Sequence, residues 1–324
     1  MKQFFQIVFG GLATIGLSMG IVFGSAWLWR NITPIIANIH ISSFMAAAES
    51  VIIKPDPGTT VSGFKRVIRY TALEEEDLIN AATLALPLGA DNRVTADGYI
   101  VKSLTAGGSV VTEHNSEKSM PIASLSKLIT AIVARKLIDP NKRITLTKEI
   151  IATYGNTAQF RNGETFLAKD LYYPLLMVSS NDAAEAFAQS YGRKKFLQYM
   201  NDFVQSIGAY RTYFADPSGL SPDNVSTAND LTIILNWIRV NDPEILNITR
   251  LQAKTIKSHT WVNPTHFLSW SNYLGGKNGY TPEANRTGAV IFAMGSKKNI
   301  YAIVVLGSVA RDADVVKLLG KIRE

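Results

Sequence analysis

The chain has 324 residues, 47% of them hydrophobic and 18% charged, which is ordinary for a folded protein with one large domain or two smaller ones. It has no cysteine, which excludes disulfides, thiolate catalysis and cysteine-ligated metal sites. The net charge is +7, but no basic tract is interleaved with aromatic residues, so the sequence does not favour nucleic-acid binding. The four histidines form no His-Glu-x-x-His pattern, and we expect no metal site and no cofactor.

Residues 3–29 contain no charged side chain. As a helix this run would span about 40 Å, more than the ~30 Å hydrocarbon core of a membrane. Trp27 and Trp29 lie at its outer end, as is typical of a membrane interface. We expect residues 1–30 to form a transmembrane anchor with the amino terminus inside the cell. A cleaved signal peptide is the alternative, because residues 24–26 (Gly-Ser-Ala) offer a cleavage site.

Residues 31–77 predict a connector, since Pro55, Pro57 and Gly58 punctuate it and no long periodic pattern dominates. From residue 78 to residue 324 the pattern becomes that of one compact domain. An anchor with its amino terminus inside would place this domain outside the cell membrane. If the N-terminal segment were cleaved, the domain would instead be secreted.

The first half of the domain predicts a hairpin followed by helices. Residues 99–104 and 109–112 are typical of two strands joined by a Thr-Ala-Gly-Gly turn. The next helix carries apolar residues at helical spacing from Leu125 to Leu137, and Pro140 sets its limit. Further helices are predicted over 169–178, 183–191 and 228–239, with Pro174 in the first turn or at a kink of the first of these.

The C-terminal part changes to the period of strands. Strands are predicted over 275–281, 289–295 and 300–307, and a closing helix over 312–323. This helix places four apolar side chains on one face: Val315, Leu318, Leu319 and Ile322. Antiparallel strands with helices before and after predict an α+β domain whose sheet is covered by terminal helices.

Ser124 precedes the first predicted helix, and Lys127 follows one turn later, within reach of the serine oxygen. A helix N-terminus favours negative charge, but serine is also a common N-cap, and the pair alone carries little weight. Two further elements follow in order, Ser179-x-Asn181 between two predicted helices and Lys277-Asn278-Gly279 on a predicted strand. Ser-x-x-Lys, Ser-Asp-Asn and Lys-Thr-Gly together mark penicillin-binding proteins and class A β-lactamases.

The segments around these motifs resemble the D-alanyl-D-alanine carboxypeptidase family of low-molecular-weight penicillin-binding proteins. They read PIASLSKLITA, VSSNDAAEAFA, ADPSGLSPDN and GGKNGYTPEA. The resemblance covers roughly residues 85–324 and excludes the anchor and the connector. It implies a β-lactamase/penicillin-binding-protein-like sandwich. In that fold a five-stranded antiparallel sheet with flanking terminal helices lies beside a helical subdomain, with the active site between them.

The same resemblance implies a serine-type D-Ala-D-Ala carboxypeptidase that acts on the stem peptides of peptidoglycan and is inhibited covalently by β-lactams. It implies that Ser124 attacks the peptide carbonyl and forms an acyl-enzyme, that Lys127 is the base, and that Ser179 relays the proton to the leaving amine. The base requires a lysine pKa depressed by burial and by a nearby cation. No cofactor is needed for this chemistry.

The resemblance also implies a set of substrate-binding residues on two elements. The backbone N–H groups of Ser124 and Tyr280 would form the oxyanion hole. The implied substrate-binding residues are Asn181, Lys277, Asn278, Gly279, Tyr280 and Thr281.

One position departs from the family pattern. The third motif normally carries Thr or Ser in its middle, where the hydroxyl binds the substrate carboxylate, and this chain has Asn278. An amide N–H can also donate to a carboxylate. A catalytically weakened or inactive homologue that binds peptidoglycan without cutting it is therefore the main competing hypothesis.

A serine β-lactamase and a structural protein are the remaining hypotheses. A class A β-lactamase needs a Glu-x-x-Leu-Asn loop, whereas residues 244–247 read Glu-Ile-Leu-Asn, one residue short and later than expected. We interpret that match as chance. A membrane-anchored structural protein with no pocket would make all three motifs accidental.

Overall fold

The computed structural model of the chain describes residues 93–105, 108–295 and 299–322. The predicted anchor (1–30) and the predicted connector (31–77) lie outside these ranges. Within them, every helix is too short or too polar to cross a membrane.

The described residues form a mixed α/β arrangement. The strands, in chain order, are β1 (Gly98–Ser103), β2 (Val110–His114), β3 (Met120–Pro121), β4 (Arg143–Thr145), β5 (Thr165–Leu167), β6 (Val225–Ser226), β7 (Ala253–Ile256), β8 (His259–Val262), β9 (Tyr273–Thr281), β10 (Asn285–Met294) and β11 (Asn299–Ser308). The α-helices are α1 (Ser126–Leu137), α2 (Lys148–Ile151), α3 (Ala168–Met177), α4 (Asn181–Tyr191), α5 (Arg193–Ser206), α6 (Ala228–Asn241), α7 (Glu244–Thr249) and α8 (Arg311–Leu319).

A five-stranded sheet in the order β2-β1-β11-β10-β9 forms the centre of the fold, and each pair of adjacent strands in it is antiparallel. Because successive side chains of a strand point to opposite faces, β10 and β11 contribute side chains to two hydrophobic cores, one on each face of the sheet. Val290 and Ile303 pack with α8 on one face. Ile291 and Val304 pack with the helices of α1 and α6 on the other. The predicted hairpin, the three C-terminal strands and the five-stranded sheet are confirmed.

The predicted helices are confirmed as α1, α3, α4, α6 and α8, with differences at Pro174 in α3 and at the end of α8. Pro174 is the seventh residue of α3, so it lies in the second turn and not in the first. The closing helix ends at Leu319, and Gly320 is its C-cap, so the predicted extension to residue 323 is wrong. Ile322 packs beyond the helix end. Helix α5 and the β7–β8 hairpin are additions that the periodicity of the sequence did not predict.

Asp182 lies in the first turn of α4 and is fully buried. Neither of its carboxylate oxygens has a hydrogen-bond partner among the described residues. Burial raises the pKa of this carboxyl from its ordinary value of 3.8 to about 7. Between pH 3.8 and about pH 7, the carboxyl of Asp182 is therefore protonated in the native state and ionised in the unfolded chain. Stability declines as the pH rises through that window.

We expect Asp182→Asn to raise the melting temperature more at about pH 8 than at about pH 4.5, because the amide carries no charge to bury. Thermal unfolding followed by circular dichroism at both pH values is the measurement. Asp202→Asn on the exposed face of α5 is the control and should show no such pH dependence. An Asp182→Asn effect of equal size at both pH values would contradict the prediction.

Candidate active site

Ser124 is held in a sharp turn at the entry to α1. It belongs to a short 3-10 turn (Ala123–Leu125) that leads directly into the helix, as the sequence predicted. Ala123 adopts a left-handed backbone conformation with φ +48°, which is uncommon for a residue other than glycine. Thr287 of β10 donates a hydrogen bond of 3.1 Å to the carbonyl of Ile122, and this bond fixes the turn against the sheet.

Lys127 is fully buried directly behind the serine. Its Nζ lies 2.8 Å from Ser124 Oγ and 2.7 Å from Asn181 Oδ1. It also donates to the backbone carbonyl of Ser218 at 2.7 Å. The structure thus brings together three of the predicted site residues, and it adds a fourth group, the Ser218 carbonyl, that was not predicted.

The surroundings of Lys127 favour its neutral form. Burial, reinforced by the charge of Lys277, holds the pKa of Lys127 well below its ordinary value, while Asp216 acts in the opposite direction. Lys277 is itself buried on β9. A buried amine with a lowered pKa, at hydrogen-bond distance from a serine hydroxyl, is the arrangement that general-base activation of a nucleophile requires.

Ser179 lies in the connection between α3 and α4, and Asn181 is the first residue of α4. Asn181 bridges two parts of the site, since its Oδ1 accepts from Lys127 and its Nδ2 donates to the carbonyl of Tyr154 at 2.7 Å. Ser180 caps α4 by accepting from the Ala183 amide. Ser179 has a left-handed φ of +59°, and its buried Oγ has no hydrogen-bond partner among the described residues.

Strand β9 forms the opposite wall. A Cβ at Gly279 would lie 2.8 Å from the backbone nitrogen of Ser124 and 2.6 Å from Thr287 Oγ1, so only glycine allows the strand to approach this closely. Lys277 Nζ donates to the carbonyl of Asn278 at 2.8 Å, and the Asn278 residue is half-buried. The strand therefore places its three motif residues beside the serine turn.

Two further predicted residues lie near the end of β9. Tyr280 is 46% exposed, and the guanidinium of Arg286 lies 5.7 Å from its ring centroid. Thr281 Oγ1 accepts a hydrogen bond of 3.1 Å from the Ala284 amide. Its hydroxyl thus takes part in the turn between β9 and β10.

The turn over residues 216–221 is the part of the site that the sequence motifs did not predict. The Asp-Pro-Ser-Gly sequence belongs to one of the segments that resemble the family, but it gave no sign that the Ser218 carbonyl would reach the lysine. Gly219 has φ +88°, and a Cβ there would lie 1.9 Å from the Ala123 carbonyl oxygen. The turn therefore packs directly against the backbone that carries Ser124.

The β-lactamase-like segment 244–247 forms the start of α7. There Asn247 Nδ2 donates to Glu244 Oε2 at 3.1 Å, within the helix. Among the described residues, no group of three or more acidic or histidine side chains could hold a metal ion.

Comparisons of the sequence with known proteins match one family of peptidases. A family model described as D-alanyl-D-alanine carboxypeptidase matches residues 86–309. A D-alanyl-D-alanine endopeptidase of Escherichia coli (strain K12) is 30% identical over 217 residues, which are 64% of this chain and 67% of that protein.

Solved structures agree in fold. A D-alanyl-D-alanine carboxypeptidase from Mycobacterium tuberculosis H37Rv matches with a TM-score of 0.64 and 26% identity, over 72% of this chain and 94% of that chain. Penicillin-binding protein D2 from Listeria monocytogenes, in its ampicillin-bound form, matches with a TM-score of 0.63 and 28% identity, over 72% of this chain and 98% of that chain. The chain belongs to the D-alanyl-D-alanine carboxypeptidase family, whose members are serine-type peptidases.

Proposed function

We propose that this chain hydrolyses the bond between the two terminal D-alanine residues of peptidoglycan stem peptides through an acyl-enzyme on Ser124. The observation that carries the proposal is the buried amine of Lys127, 2.8 Å from Ser124 Oγ and with its pKa held low. The carboxypeptidase and endopeptidase names of its relatives support the substrate class.

Lys127 takes the proton of the serine hydroxyl in the first step. A neutral amine has two N–H groups and one lone pair, and the acceptors Asn181 Oδ1 and Ser218 O take up the two N–H groups. The lone pair then faces Ser124 Oγ. As the proton moves to Nζ, the serine oxygen bonds to the carbonyl carbon of the substrate and a tetrahedral oxyanion forms.

The backbone N–H groups of Ser124 and Tyr280 stabilise that oxyanion. The C–N bond then breaks, and the departing D-alanine amine receives the proton from Lys127 through the hydroxyl of Ser179. The side-chain oxygen of Ser179 is buried and unpaired among the described residues, and so is not committed to another contact. Water next attacks the ester with Lys127 again as base, which releases the shortened peptide and restores the serine.

The substrate carboxylate lies beside β9. Lys277 supplies positive charge there, and the side-chain N–H group of Asn278 donates to a carboxylate oxygen in place of the usual hydroxyl. β-Lactams are covalent inhibitors because they acylate the same serine; the ampicillin-bound form of penicillin-binding protein D2 supports this assignment.

We further propose that residues 1–30 anchor the chain in the cell membrane and that the catalytic domain lies outside it, where peptidoglycan is.

We expect a fluorescent penicillin to label the full-length chain covalently and Ser124→Ala to abolish both the label and D-alanine release from a pentapeptide. Intact mass and a D-alanine assay are the measurements. Ser206→Ala, which changes a serine at the end of α5, should label like the wild type. Absence of any adduct in the wild type and in Asn278→Thr would sink the catalytic assignment.

Lys277→Met should move the acidic limb of the acylation pH profile to higher pH. Removing this cation raises the pKa of Lys127, and the base acts only when neutral, so a higher pH is needed to reach the plateau. The rate of acylation by a chromogenic β-lactam is read across the pH range. Lys148→Met, at an exposed position of α2, is the control. A limb that stays in place or moves to lower pH would contradict the expected sign.

Asn278→Ala should raise KM for the pentapeptide by roughly tenfold or more, because a hydrogen bond to a charged group contributes about 1.5–3 kcal/mol. Asn278→Thr should acylate at least as fast as the wild type, since a hydroxyl donor is restored. Steady-state kinetics and the time course of penicillin labelling are the measurements. A wild type that forms no adduct beside a Thr variant that does would identify a weakened, peptidoglycan-binding homologue.

A further inference from the structure

The lone pair of Lys127 points at Ser124 only if both N–H groups of the neutral amine are directed elsewhere. One of them goes to Asn181, a residue of the second motif. The other goes to the backbone carbonyl of Ser218, which no motif names. The direction of the lone pair therefore depends on where the turn over residues 216–221 places one carbonyl group.

Asp216 organises that turn from inside. Its Oδ1 accepts from the Ser218 amide at 2.6 Å, from the Ser218 hydroxyl at 2.7 Å and from the Gly219 amide at 2.7 Å. Its Oδ2 accepts from the Ser221 amide at 2.6 Å. Four donors on one carboxylate fix the backbone on both sides of the Ser218 carbonyl, because hydrogen bonds to a charged acceptor are the strong ones.

Asn224 ties the same turn to helix α1. Its Oδ1 accepts from the amides of Ala215 and Asp216, and its Nδ2 donates to the Asp216 carbonyl. The same Nδ2 donates to Ser126 Oγ at 2.9 Å, and Ser126 directly precedes the catalytic lysine. Asn224 is fully buried, so the turn is held against the helix at a fixed distance from Lys127.

We propose that Asp216 is a positioning residue, which holds the Ser218 carbonyl on Lys127 and so aims the lone pair of the amine at Ser124. The inference rests on the proposed function and adds a residue to it that lies outside the three motifs. Asp216 does not touch the substrate in this role; it acts through the turn.

The carboxylate also acts through its charge. Although burial alone would raise it, the hydrogen bonds from Ser218, Ser221 and Gly219 hold the pKa of Asp216 below its ordinary value, so it is ionised at neutral pH. Its negative charge raises the pKa of Lys127, against burial and Lys277 on β9.

Two further charged groups face Asp216. Glu185 of α4 and Arg193 of α5 line a cavity of about 390 Å³ together with it. They pair with each other at 2.8 Å. Lys277 and Asp216 are the charges that shift the pKa of Lys127, and removing one should move that pKa in the opposite direction from removing the other.

The test compares Asp216→Asn, Asp216→Ala and the wild type by acylation rate against pH. We expect Asp216→Ala to lower the plateau by about 10²-fold, the size of effect that a misplaced catalytic group produces. Asp216→Asn should lose less, because its Oδ1 can still accept the three bonds at that oxygen. Both variants should move the acidic limb of the profile to lower pH, which is opposite to the effect of Lys277→Met. The control is Asp223→Asn, at an exposed position of the same loop, which should change neither the acidic limb nor the plateau rate.

Each result decides the proposal. A lower plateau and a lower melting temperature with the acidic limb in place would mean a merely structural role and would overturn it. A labelled wild type whose Asp216 variants keep both rate and limb would overturn the inference alone. A wild type that takes no penicillin label would sink the proposed function as well. If Asp216→Ala fails to fold, Ser218→Ala replaces it, because this variant removes one donor to Asp216 and keeps the backbone carbonyl. We then expect the acidic limb of the acylation profile to move to lower pH in Asp216→Asn and to stay in place in Ser218→Ala.

Discussion

A lysine amine that is removed from water loses several kcal/mol of hydration if it stays charged, and it avoids that cost by becoming neutral. Lys127 is buried completely, and its polar partners are a hydroxyl, an amide oxygen and a peptide carbonyl. These groups come from the entry to α1, the first residue of α4, and the turn over residues 216–221. The neutral amine is satisfied only when all three elements meet, so the chemistry of the site and the packing of the helical layer depend on the same contact.

Two residues next to the Lys127 site have strained backbone conformations. Ala123 and Ser179 both take left-handed conformations that residues with a side chain rarely adopt, at a cost of the order of 1 kcal/mol or more each. Close packing holds one of them in place, since Gly219 presses on the Ala123 carbonyl and Gly279 on the neighbouring amide. A larger residue at either glycine would separate the elements that the site needs together. The strained residues thus lie where the surrounding structure has little freedom to relax.

Strong periodic patterns made most of the sheet and the main helices predictable, and the motifs named Ser124, Lys127 and Asn181, which the structure brings together. Helix α5 was missed because its buried residues, Phe196, Met200 and Val204, form a narrow stripe in a polar segment that follows α4 after a single glycine. That four-residue spacing was the available signal. The Ser218 carbonyl could not have been found in this way, since every residue carries such a group and only the fold decides where it points. The same holds for Asp216, which resembles an ordinary turn residue until the four donors around it are seen.

Burial has the largest effect on the pKa of Lys127, and two charges from different parts of the fold change it further. The sheet supplies Lys277, which lowers the pKa of Lys127, and the helical layer supplies Asp216, which raises it. Coulomb interactions across a buried site change steeply with distance, so the spacing between the layers determines how far the two charges offset each other. Gly279 and the hydrogen bond from Thr287 to Ile122 fix that spacing at the serine turn. The glycine of the third motif therefore has an electrostatic role besides its steric one: it lets β9 lie close to the serine turn, and the charge of Lys277 on that strand adds to the effect of burial on the pKa of Lys127.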